Sequence, residues 1–256
     1  MAGKLNYLLQ WHFTPEDFFE QEFEVPVDGH VLQVFSGRVD VNIARDLFES
    51  DPGIRDRLNE FLKHKFLAVQ LLTHLPFELS SPNLVRYEEG GNLTIFMHAL
   101  PANVGAFVPA PDFVITDASG NVVRDTRRER IQKKREFGQA AAVLAGIDSL
   151  FKSLLGAYGR SVLDPQNELV HLFEIREALV AHFGSEAHVS AELGISKSKL
   201  SEFGGICNRS TLSQGRHRGR SIMSLRAATI EELTSARAIA REMITSYLGK
   251  VAGRAG

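Results

Sequence analysis

The sequence predicts an α+β fold in two parts: an antiparallel sheet with one packed helix, then an all-α helical bundle. Two observations predict it. Apolar residues alternate with period two up to about residue 125 and recur with helical period beyond it. Turn signals (Asp28-Gly29, Ser36-Gly37, Gly90-Gly91-Asn92, Ser119-Gly120-Asn121) punctuate the first part, between β-rich runs such as "HVLQVF", "NLTIFMH" and "DFVIT". In "GRVDVNI", Val39, Val41 and Ile43 fall on one face and Arg38, Asp40 and Asn42 on the other, the pattern of a half-buried strand in a meander.

One helix is expected inside this first part. "DPGIRDRLNEFLKHKFLAVQLLTH" puts Pro52 at a helix start and repeats apolar residues at Leu58, Phe61, Leu62, Val69 and Leu72. The proline-rich "LPANVGAFVPAPDF" reads as a loop. The domain boundary is expected near residue 125, giving an α+β domain over 1–125 and a helical domain over 126–256. Thr126 with Glu129 predicts a capping box opening a long helix whose face carries Phe137, Ala140, Ala141, Leu144, Ile147, Phe151, Leu154 and Tyr158. "DPQ" at 164–166 starts a second helix lined by Leu169, Leu172, Phe173, Leu179, Val180 and Phe183. A second capping box, Thr229 with Glu232, opens the last, which buries Leu233, Ala236, Ala240, Met243 and Tyr247.

Composition narrows the function classes. With 256 residues, 44% of them hydrophobic, the chain is ordinary globular material. The net charge of -2 conceals an acidic start (Glu16, Asp17, Glu20, Glu22, Glu24) and later basic clusters. The single Cys207 excludes an internal disulfide and a cysteine-rich zinc site. No apolar run reaches the roughly 18 residues of a membrane span and no export signal is evident, so a cytoplasmic location without membrane partners is expected. Phosphate-loop, dinucleotide, zinc-protease and nucleophile-elbow motifs are absent, and neither a cofactor nor a metal is expected.

Three features remain. "EAHVSAELGISKSKLSEF" has the spacing of a helix-turn-helix, with Val189, Leu193, Ile195, Leu200 and Phe203 packing a corner around Gly194, and Ser196 capping the second helix. That helix is expected to stop at Gly204-Gly205, short for a groove reader, but offers Lys197 and Lys199 to DNA. From Gly204 to Ile230 come five arginines (Arg209, Arg216, Arg218, Arg220, Arg226), His217 and no carboxylate. Guanidinium groups fork onto phosphate oxygens, so the loop is expected to bind a polyanion, with pairing to carboxylates of neighbouring helices, including Glu231 and Glu232, as the alternative. A third, basic run includes Arg127 and Arg128, placed in a helix's first turn against its dipole. Arg176, on the apolar face of its helix, requires a carboxylate or a polar site.

"ELVHLFEIREALVAHFG", "LGISKSKLSEFGGICN" and "GRHRGR" together resemble bacterial HEPN-like helical domains, a class that includes RNA-binding modules and metal-independent ribonucleases of toxin and phage-defence systems. The resemblance covers the chain from about Thr126 onward. It implies an Arg followed four to six residues later by a His. Arg176 and His182 fit that count, yet point about 120° apart on an unbroken helix. In the loop, the resemblance implies His217 as general acid or base with Arg216 or Arg218 stabilising the phosphorane, and a homodimer that brings two loops to one groove. Arg209, Arg220, Arg226, Lys197, Lys199, Arg127 and Arg128 are the remaining expected nucleic-acid contacts. A DNA-binding regulator, and a dimerisation module whose first domain takes a protein partner, are the alternatives.

Overall fold

The computed structural model describes residues 6–87, 93–95, 112–220 and 224–253. The expected turn at Gly90-Gly91-Asn92 and most of the proline-rich loop lie outside the described residues. The chain forms an antiparallel sheet in its first part and helices in its second, the α+β class expected. Two compact units are present, Met1–Val69 with Phe77–Ala140, and Gln70–Pro76 with Ala141–Gly256. The chain passes between the units after residues 69, 76 and 140, where the sequence predicts one boundary near 125.

In the first unit, β1 (Asn6–Thr14), β2 (Phe23–Val27), β3 (His30–Phe35) and β4 (Arg38–Ala44) are followed by α1 (Arg45–Ser50) and α2 (Ile54–Thr73). Then come β5 (Glu78–Leu79), β6 (Asn83–Tyr87), β7 (Leu93–Ile95), β8 (Val114–Thr116) and β9 (Val122–Asp125). The order β2-β3-β4-β1-β6-β7 departs from a simple meander, because β1 inserts between β4 and β6 while β5 pairs with its end. β1 earns the centre by alternation: Tyr7, Leu9, Trp11 and Phe13 are buried, with Leu9 opposite Val41 on one side and Leu84 on the other. Asp28 and Gly29, with φ of 51° and 77°, form the two-residue turn between β2 and β3.

Val39, Val41 and Ile43 are buried as expected, and Asp40 joins them because Gln10 and Arg38 satisfy its carboxylate at 3.0 and 3.2 Å. α2 buries Leu58, Leu62, Phe66 and Val69, one stripe at helical spacing. Phe66 sits among Phe13, Phe18, Phe19 and Phe77, with ring centroids 4.7 to 5.1 Å away, and Trp11 Nε1 donates to Asn59 Oδ1 at 3.0 Å. β8 and β9 make a separate two-stranded sheet with Val114, Ile115, Val122 and Val123 exposed.

Helix α3 (Thr126–Ile147) begins without the expected capping box. Asp125 caps instead, its carboxylate accepting from Arg128 N at 3.0 Å, while the Thr126 hydroxyl is engaged with Phe113. The long helix expected to run on to Tyr158 is two helices. Asp148 leaves the helical conformation (φ -116°, ψ 106°) and accepts from Phe151 N at 2.8 Å, opening α4 (Ser149–Leu163). Ile147, placed on the buried face by periodicity, is therefore 83% exposed at the break.

A 3₁₀ turn at Pro165–Asn167 leads into α5 (Glu168–Phe183), then α6 (Glu186–Leu193), α7 (Lys197–Cys207) and α8 (Ile230–Ala252). α4 packs along α5, and α5 and α7 along α8. Phe151, Leu154, Tyr158, Leu169, Leu172, Phe173, Leu179, Ala236, Ala240 and Met243 form the core of this second unit. The Thr229–Glu232 capping box is present in both directions. Among the described residues no helix is long and apolar enough to cross a membrane.

Candidate functional site

The arginine loop between Cys207 and Thr229 is built on its own backbone. Leu212 is fully buried and bridges to Arg226, whose N–H and C=O bond Thr211 O and Ser213 N at 2.9 Å. Arg216 N returns to Cys207 O at 2.9 Å. Gly215 lies where the loop crosses itself: a Cβ there would sit 2.6 Å from Arg209 O, so glycine is required. Its role is this crossing.

Carboxylates from outside the loop take most of the arginines. Arg209 and Arg226 converge on Glu232 in the first turn of α8, Arg226 at 2.7 and 2.8 Å. The Arg226 hydrogen bonds hold the Glu232 carboxyl down at about 2. Arg216 pairs with Glu177 of α5 at 2.8 Å and lies 4.8 Å above the Phe173 ring. The loop window holds no acid, and α5 and α8 supply two, so for these three arginines the alternative of pairing with neighbouring helices holds, through Glu232 as expected and through Glu177. The Arg216 guanidinium is thus engaged with Glu177 and the Phe173 ring.

Arg218 differs. It meets no carboxylate among the described residues. Its Nη1 donates to Gln166 O at 3.3 Å and Ser213 O at 3.1 Å, and its Nη2 to Asn167 Oδ1 at 2.7 Å. These bonds span a cleft of about 620 Å³ lined by Pro165, Gln166, Asn167, Ser213, Gln214, Arg218 and Leu225. Arg218 and Arg220 share a 3₁₀ turn just after His217, whose carbonyl accepts from Arg220 N at 2.9 Å. Among the described residues, the side chains of His217 and Arg220 have no hydrogen-bond or ion-pair partner.

The other expected contacts are scattered. The helix corner is as read, with Gly194 left-handed (φ 67°) and the Ser196 hydroxyl accepting from Lys199 N, but α7 runs through Gly204-Gly205 to Cys207. Glycines there face open space or solvent and the helix hydrogen bonds continue past them. Lys199 is bound to Glu242 at 2.8 Å, whereas Lys197 is exposed and unpaired among the described residues. Arg127 and Arg128 are exposed at the start of α3 in the other unit. Within that unit the acidic start and the basic run meet, as Glu20 takes Arg130 at 2.6 Å and also Lys134.

Arg176 finds the carboxylate it requires in Glu186 and also covers Phe173. His182 instead packs edge-on to Tyr247 at 5.8 Å, and α5 is unbroken between them, so the Arg176–His182 pair makes no common site. Cys207 is buried, and burial pushes its thiol up to about 12, which fits packing and not nucleophilic chemistry.

One polar cluster escapes sequence reasoning. Glu168, 2% exposed, receives Arg237 through Nε at 2.5 Å and Nη2 at 2.8 Å. His74 lies 3.6 Å from Glu168, and its Nδ1 is 3.2 Å from Tyr158 Oη, which Arg241 also reaches at 3.5 Å. His74 carries a left-handed φ of 56°, unusual for a residue with a side chain. Burial, then the charges of Arg237 and Arg241, lowers its pKa to about 4. It is neutral near pH 7 and makes no ion pair with Glu168. The unfolded chain takes up this proton near the ordinary histidine value of 6.5 whereas the folded chain does so near 4, so His74 makes stability fall as pH drops through that window. Denaturant midpoints measured from pH 7 to 4 should show a shallower decline in His74→Gln. Equal slopes in both proteins would contradict this.

Among the described residues no group of three or more His, Cys, Asp or Glu side chains is placed to hold a metal ion. Compared with protein-family models, with curated proteins and with solved structures, the chain finds no match.

Proposed function

We propose that the protein binds single-stranded RNA by its phosphates in the cleft between Pro165–Asn167 and the arginine loop. One observation carries this reading: Arg218 is held in a cleft of about 620 Å³ by three hydrogen bonds to neutral acceptors, and among the described residues no carboxylate lines it. Among the described residues no acceptor meets the Arg218 Nε–H, one of the two nitrogens with which Arg237 holds Glu168. A concave site of this size suits a splayed nucleotide, which single-stranded RNA presents and a stacked duplex does not.

The resemblance to HEPN-like domains extends the proposal to cleavage without metal. His217 is then the proton-transferring group, Arg218 the ligand of the charged phosphorane, and Arg220 a further backbone contact. Arg216, Arg209 and Arg226 act as positioning residues through Glu177 and Glu232. Incubation with RNA in chelator tests this. Arg218→Ala should weaken binding about tenfold, the worth of one charge-assisted contact. His217→Ala should leave binding intact and stop cleavage. Cleavage that persists in both variants removes the loop from the mechanism.

A DNA-reading role has one specific support, the 11-residue α7, about 16 Å long, with Lys197 exposed at its start. Duplex binding that discriminates among sequences and is lost in Lys197→Ala, but not in Arg218→Ala, would favour that reading.

A further inference from the structure

Lys65 sits on α2 in the first unit and is 2% exposed, yet no carboxylate among the described residues meets it. Among the described residues its Nζ has a single acceptor, Gln139 Oε1 at a long 3.4 Å, and it lies 5.4 Å from the centroid of the Phe23 ring. Its side chain passes Gly138, where an added Cβ would make ordinary contact with it. The neighbouring charge is of like sign. The Arg135 guanidinium covers the same Phe23 ring at 4.7 Å and donates from Nη2 to Glu22 O at 2.9 Å, while its Nε–H is buried with no partner among the described residues.

This arrangement has two linked defects: a buried cation beside another cation, and a buried donor without an acceptor. Each costs free energy. Removing the lysine's charge answers the first, and placing an anionic oxygen there answers both. Burial, and then the charge of Arg135, lowers the Lys65 amine to about 8, so a nucleophilic fraction is present at neutral pH. A side chain this enclosed admits only a small, uncharged electrophile.

We propose that Lys65 is a carbamylation site for carbon dioxide. The unprotonated ε-amine donates its electron pair to the carbon of CO₂, and an N–C bond forms. The π pair of one C=O moves onto oxygen, and the amine proton passes to solvent, giving a lysine carbamate and H⁺. The carbamate replaces a positive charge by a negative one near the Phe23 ring that the Arg135 guanidinium also covers. Nothing in this depends on RNA binding.

The full-length protein is tested with ¹³C-labelled CO₂/bicarbonate by carbon NMR, with alkyl trapping of carbamates and peptide mapping to assign the amine. The α-amino group and exposed lysines also carbamylate, and mapping separates them. The expected result is a trapped carbamate on the Lys65 peptide of the folded wild type at CO₂ levels that leave exposed lysines unmodified. Arg135→Gln should lower its occupancy about tenfold, the equivalent of one charge-assisted hydrogen bond. An unmodified Lys65 peptide in folded wild-type protein overturns the proposal. A Lys65 carbamate of equal occupancy in Arg135→Gln overturns the role of Arg135.

Discussion

Phe66→Ala is expected to destabilise the sheet-bearing unit by about 4 kcal/mol, among the largest effects of any single substitution in the chain. Phe66 is fully buried on the face of α2, and four phenylalanine rings surround it at 4.7 to 5.1 Å. Those rings come from β1, from the segment after it and from Phe77, so a cavity there opens at a junction that cannot close by moving one element. Phe66→Leu keeps most of the volume and should cost less than half as much. Urea midpoints followed by the fluorescence of the single tryptophan, Trp11, report on this unit. A loss below about 1 kcal/mol for the alanine variant would mean that Phe66 is not the centre of the core.

Glu168→Ala is expected to cost the helical unit about 3 kcal/mol, for a different reason. Glu168 is 2% exposed and its two oxygens take both N–H groups that Arg237 offers, at 2.5 and 2.8 Å. Removing the carboxylate leaves Arg237, with Arg241 near it, as uncompensated charge against Tyr158 and the neutral His74. The cost arises mainly from the abandoned guanidinium, so the double replacement Glu168→Met with Arg237→Met should recover most of it. Thermal melts of the two single variants and the double variant check this by a double-mutant cycle. Additive losses would show that the pair is not energetically coupled.

Much of the fold was legible because it depends on local periodicity. The alternation of β3 and β4, the stripes of α5 and α8, the Asp28-Gly29 turn and the Thr229–Glu232 box all follow from residues close in sequence. The errors come where local signals compete or tertiary partners decide. Asp125 outcompetes Thr126 for the α3 cap because Phe113 engages the threonine hydroxyl. Helical periodicity runs through Asp148 without a phase change, so the break there shows only in its capping hydrogen bond. The central place of β1 requires pairing with β6, more than seventy residues later in the chain.

The loop shows the same division. Its density of arginine was plain, but which guanidinium groups are already occupied was not, since Glu177 and Glu232 approach from α5 and α8. Glu232 was visible as a candidate partner from its place in the capping box; Glu177 had no such signal. His74, Tyr158 and Glu168 lie up to 94 residues apart, and nothing in their surroundings in sequence marks them as a group.

The proposed RNA contact at Arg218 is best tested by the salt dependence of single-stranded RNA affinity in the wild type and in Arg218→Gln. If Arg218 neutralises a phosphate, log affinity falls linearly with log salt in the wild type. In Arg218→Gln affinity is lower, and the slope is shallower by about 0.7, one released counterion on a single strand. Equal affinities and equal slopes for the two proteins would contradict phosphate binding in the Pro165–Asn167 cleft.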